Sequence, residues 1–298
     1  MQRARYWLTD RALRTMIRFL LLLPYRWRVP LCGWLVARVI APLAGYDRRI
    51  RRNLRIVASD LPEAEVRRLV RAVPDNIGRS IIEIYSGTQF TSQAAAIPPE
   101  GPGLAALRHA TDAGRAVILV TAHIGNYDAL RAALVARGYT IGFLYQRMKN
   151  PYFHEHYLAA IAAISAPGFE RGKPGLSGMI RFLKGGGTLG VLIDQHVASG
   201  AALTFFGKKA MTALSVAELA LKYDAELIPA YGLRKPDGFG FDIRLEAPVP
   251  HSTAEEMTQA LNNSLEAQVR SHMDQWFWIH RRWKALERET AARTAGNG

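Results

Sequence analysis

The fold class this sequence predicts is α/β, a central largely parallel or mixed sheet flanked by helices, preceded by an amino-terminal membrane-associated helical segment. Three observations carry that prediction. From residue 115 onward, short apolar runs alternate with stretches whose apolar residues recur at helical spacing. The runs are nearly continuous rather than alternating, as in strands covered on both faces. Before them, residues 18–45 (RFLLLLPYRWRVPLCGWLVARVIAPLAG) interleave arginines with large apolar side chains. At 298 residues and 49% hydrophobic content the chain can bury a sizeable core.

Taken in order, residues 11–23 read as an amphipathic helix, with Arg11, Arg14 and Arg18 on one face and Leu13, Met16, Ile17 and Leu20 on another. Pro24, Arg26, Arg28, Pro30 and Arg38 break the next stretch, leaving no run of about 20 uncharged apolar residues for a spanning helix. No small-residue cleavage site follows the Leu run, so a cleaved signal peptide is not expected. Residues 46–88 read as helical, starting a helix near Pro62-Glu63, with Pro74 and Gly78 as punctuation. The stretch TQFTSQAAAIPPEGPG reads as a loop. Strands are then expected at 115–122, 140–146, 188–194, 225–233 and 240–249, and helices at 126–138, 151–165, 176–186 and 212–224. A long helix over about 253–290 closes the chain. The resulting division is a docking segment 1–45, a helical lead-in 46–100 and an α/β domain 101–298.

The net charge is +14, and residues 1–55 hold thirteen Arg against only Asp10 and Asp47. Arginines set among membrane-type apolar residues favour an anionic membrane over nucleic acid, with Trp7, Trp27 and Trp34 available at headgroup depth. The alternative is a terminal helix packed on its own domain. A single cysteine, Cys32, excludes an intramolecular disulfide and a cysteine-based zinc site.

The candidate chemistry begins at VILVTAHIGNYDAL (117–130), where His123 precedes Asp128 by five places. A strand feeding a turn and a helix puts its last residues at the carboxyl edge of the sheet, where α/β proteins build sites. A carboxylate on one ring nitrogen would fix the imidazole tautomer and leave the other nitrogen as a general base. Spacing alone is weak, since His251 and Glu256 repeat it without a preceding apolar strand. Asp194 and Gln195 follow another strand to the same edge, either lining a site or serving as turn residues. TFFGKK (204–209) suits an acyl or anionic ligand, or a core Phe pair beside solvated lysines. His154 and His156 would point about 200° apart on a helix, which argues against a shared ion and for solvated polar residues. No Gly-x-Ser-x-Gly and no P-loop is present. DQWFWIHRRWK (274–284) reads as a helix laid against the domain or a membrane.

Together RRNLRIVASDLPEAEVRRLV, HIGNYD, YQRMKNP, LIDQH, FFG and QWFWIHRRWK resemble, in order and spacing, the late acyltransferases of lipid A biosynthesis within the lysophospholipid acyltransferase superfamily. The resemblance implies transfer of a fatty acyl group from an acyl carrier protein thioester to a glycolipid hydroxyl at the cytoplasmic face of an inner membrane. It implies no metal and no organic cofactor. His123 would be the base and Asp128 its orienter, with Asn126, Asp194 and Gln195 on the substrate side. In the Tyr-Arg … Asn-Pro block of the family, Gln146 stands here where Arg is expected, and Arg follows at 147. A phosphate on the acceptor would therefore fall to Arg147 or to Arg171. Two other readings keep the fold: acylation of another glycolipid or lysophospholipid, and a catalytically silent membrane-surface binding protein.

Overall fold

The computed structural model describes residues 2–287. The chain opens with helix α1 (Gln2–Leu21) and α2 (Tyr25–Leu35), which continues through a π turn (Val36–Ile40) into α3 (Ala41–Leu43). Helices α4 (Tyr46–Val57), α5 (Glu63–Tyr85) and α6 (Thr88–Ala95) follow. The remainder runs β1 (Pro99–Glu100), α7 (Pro102–Asp112), β2 (Val117–Thr121), α8 (Tyr127–Val135), β3 (Ile141–Tyr145), α9 (Pro151–Ala162), β4 (Gly168–Glu170), α10 (Lys173–Lys184) and β5 (Thr188–Leu192). It ends with β6 (Ala201–Phe205), β7 (Lys208–Thr212), α11 (Ser215–Tyr223), β8 (Glu226–Arg234), β9 (Phe241–Leu245) and α12 (Ala254–Ser271).

Seven strands form one sheet in the order β1-β9-β8-β2-β5-β3-β4. Strands β8, β2, β5, β3 and β4 are mutually parallel, while β9 joins β8 antiparallel. The expected α/β class is therefore realised as a mostly parallel sheet with one mixed edge. Every residue of β2 is buried because both faces are covered. Val117 and Leu119 join a core with α5, α7, α8 and α9, whereas Ile118 and Val120 join one with α10, α11 and α12. That two-sided burial is the reason for the continuous apolar run.

Several expectations change. The stretch expected as a loop contains α6, whose Phe90 and Ala94 stand four residues apart and are fully buried. Their packing outweighs its Ser/Thr/Gln composition. Helix α5 passes through both Pro74 and Gly78. A Cβ at Gly78 would lie 2.6 Å from the Cys32 carbonyl, so this glycine permits the close crossing of α2 and α5. The long closing helix stops at Ser271, and residues 288–290 of its expected span lie outside the described residues. Beyond it Trp276, Trp278, Trp283 and Arg282 turn inward and are fully buried, a placement no single helical face could supply. Phe206 and Gly207, at φ 54° and 65°, form the tight turn of the β6–β7 hairpin, which the sequence reading did not foresee.

At the amino terminus, Ile17 and Leu20 of α1 enter the protein's own core with Met16 packed beside them. The helix face assigned to lipid is thus partly used internally. The exposed apolar side chains of this segment include Trp7, Leu8, Phe19, Leu22, Trp27, Leu31, Trp34, Val39 and Leu43 instead. Among the described residues no single helix is long and apolar enough to cross a membrane.

Candidate active site

Strands β2 and β5 pair in register, Thr121 opposite Leu192. Two residues beyond each, at the carboxyl edge of the sheet, stand His123 and Asp194, and that register brings them together. His123 Nδ1 lies 2.8 Å from Asp194 Oδ1, and the His123 backbone N–H donates to Asp194 Oδ2 at 3.0 Å. The fully buried Trp276 indole N–H donates to the same oxygen at 3.0 Å. Burial would raise the Asp194 carboxyl, but His123, by charge and hydrogen bonds, and then His280 hold it well below the usual carboxylate range. For His123, burial opposes the imidazolium, yet Asp194 and to a lesser degree Asp128 raise its pKa above 6.5.

Asp128 is also buried, in the first turn of α8, where its own N–H is capped by Asn126 Oδ1 at 3.0 Å. Its Oδ1 accepts from Arg131 Nη1, and Arg131 is fixed in turn by Ser165 and the Ile161 carbonyl. Burial raises the Asp128 pKa despite Arg131 and His123. The carboxylate that bonds the His123 ring is thus Asp194, and Asp128 acts on the ring through its field.

A buried polar network positions the turn between them. Glu83 of α5 accepts from Asn126 Nδ2 at 2.7 Å and from both Arg234 terminal nitrogens, at 2.5 and 2.7 Å. Asn76 receives Arg234 Nε at 2.8 Å and donates to the Gly125 carbonyl at 3.0 Å. Gly125 has φ +57°, and a Cβ there would sit 2.1 Å from the Gly232 carbonyl, so only glycine fits. From the other side, Phe277 N–H bonds the His123 carbonyl at 2.9 Å, and Ile124 forms an isolated bridge to Trp276. Breaking the Glu83–Arg234 pair would leave a buried charge uncompensated, at a cost of about 3–5 kcal/mol.

Two cavities reach His123. The smaller, about 110 Å³, lies against α5 and includes Asn76, Ser80, Asn126 and Asp128. The larger, about 530 Å³, runs inward past Leu119, Leu134, Ile141, Ile161 and Val216. Strands β3 and β5 pair only as far as Phe143 opposite Gly190 and then part, and residues from both faces of that fork line the cavity. Gly190 sits at the base of the fork, and a Cβ there would meet its nearest atoms at 3.7 Å, an ordinary contact.

The other expected residues separate. Asn126 and Asp194 lie at His123, and Gln195 and Arg171 line the larger cavity. Arg147 is exposed outside that lining, facing Glu155 at 3.7 Å and Glu170 at 4.0 Å. His154 is buried against Tyr145 and His156 stacks on Tyr85, so His154 is not the solvated residue expected. The closing Trp-rich segment lies inside the domain and forms one wall of the site.

Sequence reading missed His280. Its ring centroid is 4.9 Å from that of His123, its Nε2 is buried with no hydrogen-bond partner among the described residues, and burial depresses its pKa to about 4. It also missed Tyr127, edge-on to His123 at 5.8 Å, and the Glu83–Arg234 pair. Only the density of aromatic and basic residues in 274–284 hinted at any of these.

A histidine bonded to a buried carboxylate, placed where a deep apolar cavity opens at a parallel sheet's carboxyl edge, is the equipment of a group-transfer enzyme with an apolar substrate. The chain belongs to the bacterial lipid A biosynthesis acyltransferase family, whose model matches residues 1–285, and it is an acyltransferase. It is 24% identical over 266 residues to the phosphatidylinositol mannoside acyltransferase of Mycolicibacterium smegmatis, covering 84% of each chain. It is also 24% identical over 241 residues to the lipid A biosynthesis lauroyltransferase of Escherichia coli, covering 79% of this chain and 78% of that one.

Proposed function

We propose that the protein moves a fatty acyl chain from an acyl carrier protein thioester to a hydroxyl of a lipid A precursor, working from the cytoplasmic face of an inner membrane. The observation that carries the chemistry is the His123–Asp194 pair at the mouth of the 530 Å³ apolar cavity. Asp194 accepts the hydrogen bond of Nδ1–H, which fixes the tautomer and leaves Nε2 as the base. Nε2 accepts the proton of the acceptor hydroxyl as its oxygen attacks the thioester carbonyl. A tetrahedral intermediate forms, stabilised by hydrogen-bond donors at the developing oxyanion. Collapse of the intermediate breaks the carbon–sulfur bond, and the His123 imidazolium returns its proton to the departing thiolate.

The two buried carboxylates have separate parts in this scheme. Asp194 orients the ring by a direct bond, and Asp128, held by Arg131, favours the imidazolium through its field. The acyl chain occupies the larger cavity. Arg171, which lines that cavity, supplies a partner for an acceptor phosphate in preference to Arg147, which lies outside the lining beside Glu155. The named activities of the relatives support a glycolipid acceptor. The mannoside acyltransferases make a phosphatidylinositol mannoside the second acceptor to test.

Lipid mass spectrometry on a deletion strain carrying either the wild-type gene or His123→Ala tests the proposal. The wild-type gene restores an acyl chain on lipid A, and His123→Ala does not. Restoration by His123→Ala would sink the mechanism, and an unchanged lipid A with an altered second glycolipid would replace the acceptor.

A further inference from the structure

We propose that the elbow between α3 and α4 binds the phosphate of an anionic lipid headgroup. The proposal rests on the membrane-surface reading above and names what the surface segment recognises. The continuous run Tyr25–Leu43 meets α4 at 87°, with Gly45 at the corner in the left-handed region, φ +68°. Inside the corner lies a groove of about 510 Å³. Arg38 enters it from the first arm, Arg48 and Arg51 from the second, and Arg67 and Arg71 from α5 behind.

The charges in this groove are incompletely neutralised. Arg51 is paired to Asp47 at 2.7 Å and to Glu63 at 2.8 Å, and Arg67 reaches the same Glu63 at 3.5 Å. Arg38, Arg48 and Arg71 have no ion pair among the described residues. Three guanidinium groups that line one concavity without an ion pair among the described residues suit a multivalent oxyanion, and guanidinium binds phosphate through paired N–H donors.

The flanks of the groove identify the source of that phosphate. Trp27, Leu31 and Trp34, at i, i+4 and i+7, form an outward apolar stripe on the first arm, and Leu43 at the corner is 85% exposed. Trp27 and Trp34 are 68% and 51% exposed. Such side chains lie favourably in the acyl boundary of a bilayer, which sets the arginines just beyond them at phosphate depth. An acidic protein seated in the groove would pair the same arginines but leave Trp34 and Leu43 in water. A lipid surface satisfies both.

The test is co-sedimentation of the full chain with phosphatidylcholine vesicles, with and without phosphatidylglycerol. The groove variant is Arg38→Gln/Arg48→Gln/Arg71→Gln. A charge-matched control, Arg108→Gln/Arg181→Gln/Arg244→Gln, removes three exposed arginines elsewhere. Thermal unfolding and binding to neutral vesicles report on the fold of both. A basic residue at an anionic surface contributes about five-fold in binding, so the groove variant loses on the order of 100-fold of the phosphatidylglycerol-dependent binding while the control keeps most of it. Equal losses in the two variants would reduce the effect to net charge and overturn the site. Unchanged vesicle binding with lost binding to an acidic carrier protein in detergent would assign the groove to that protein instead. The readout uses no acyl donor, so a failure here leaves the proposed chemistry standing, and a catalytically inactive chain would not alter the result.

Discussion

The loop after β5 and the first turn of α8 each hold a buried aspartate whose charge acts on His123, and they differ in how they are held. Asp194 collects a ring nitrogen, a backbone N–H and an indole N–H, and its carboxyl is driven well below the usual range. Asp128 is bound to Arg131 in its own helix, and burial leaves its pKa raised. The carboxylate five residues away in sequence is therefore the one without a bond to the ring. The one 71 residues away has it, because parallel strands in register deliver equivalent positions to the same edge. Proximity along a chain and proximity across a sheet are separate sources of a catalytic pair, and here the second supplies the direct contact.

The largest effect that sharpens this contrast is expected from Asp194→Asn. Acyl transfer should fall by about 10³-fold through loss of the orienting carboxylate. The pH profile supplies a readout that simple misfolding would not give. Because Asp194 stabilises the imidazolium, the wild-type His123 pKa lies above 6.5, and the rate rises as the pH passes upward through it and the ring becomes neutral. Without Asp194, burial acts with less opposition and the midpoint moves to lower pH. A residual rate with an unshifted profile would show that Asp194 does not govern the base.

Asp128→Asn should act differently. It leaves Arg131 buried with a weaker partner, so unfolding measurements should show a loss of about 3 kcal/mol. The rate should fall by about 10- to 100-fold, less than for Asp194→Asn, since only the field on His123 and the setting of the α8 turn are disturbed. If Asp128→Asn instead proved the more damaging to transfer at unchanged stability, the roles of the two aspartates would be reversed. The smallest effect is expected at the fork between β3 and β5. Gly190→Leu projects a side chain into the larger cavity from a position where Cβ itself is accommodated. The total rate with short donors should change by less than about 10-fold, which is under about 1.4 kcal/mol in the barrier. The product's acyl chain should shorten, as read by mass spectrometry, and an unchanged chain length would remove the acyl group from this cavity.

Much of this arrangement was legible in the residues. The α/β class followed from continuous apolar runs, and those runs are continuous because β2 has helices against both faces. His123 was found at the end of its strand, and Asp194 and Gln195 were placed at the same edge by the same reasoning. What spacing could not express was strand order. Nothing in the sequence says that β5 lies beside β2 in register, or that Trp276 returns from the far end to bond Asp194. The Trp-rich segment was expected as a helix against the domain or a membrane; it lies in the domain, but as a run of turns over 272–283 in place of a helix. Its three tryptophans are fully buried, and burying each removes 150–250 Å² of largely apolar surface from water, which outweighs the loss of helical hydrogen bonding there.

By itself the sequence determined which segments could be strands and helices, which histidine ends a buried strand, and that the basic charge gathers in the first 55 residues. These are local properties, fixed by side-chain periodicity and by charge along the chain. The tertiary structure alone decided which carboxylate bonds His123, that His280 joins it, that β3 and β5 part to open an apolar cavity, and that five arginines from three helices meet in one elbow. Those outcomes depend on strand register and helix crossing. Both are set by the packing of the whole core, and no local spacing encodes them.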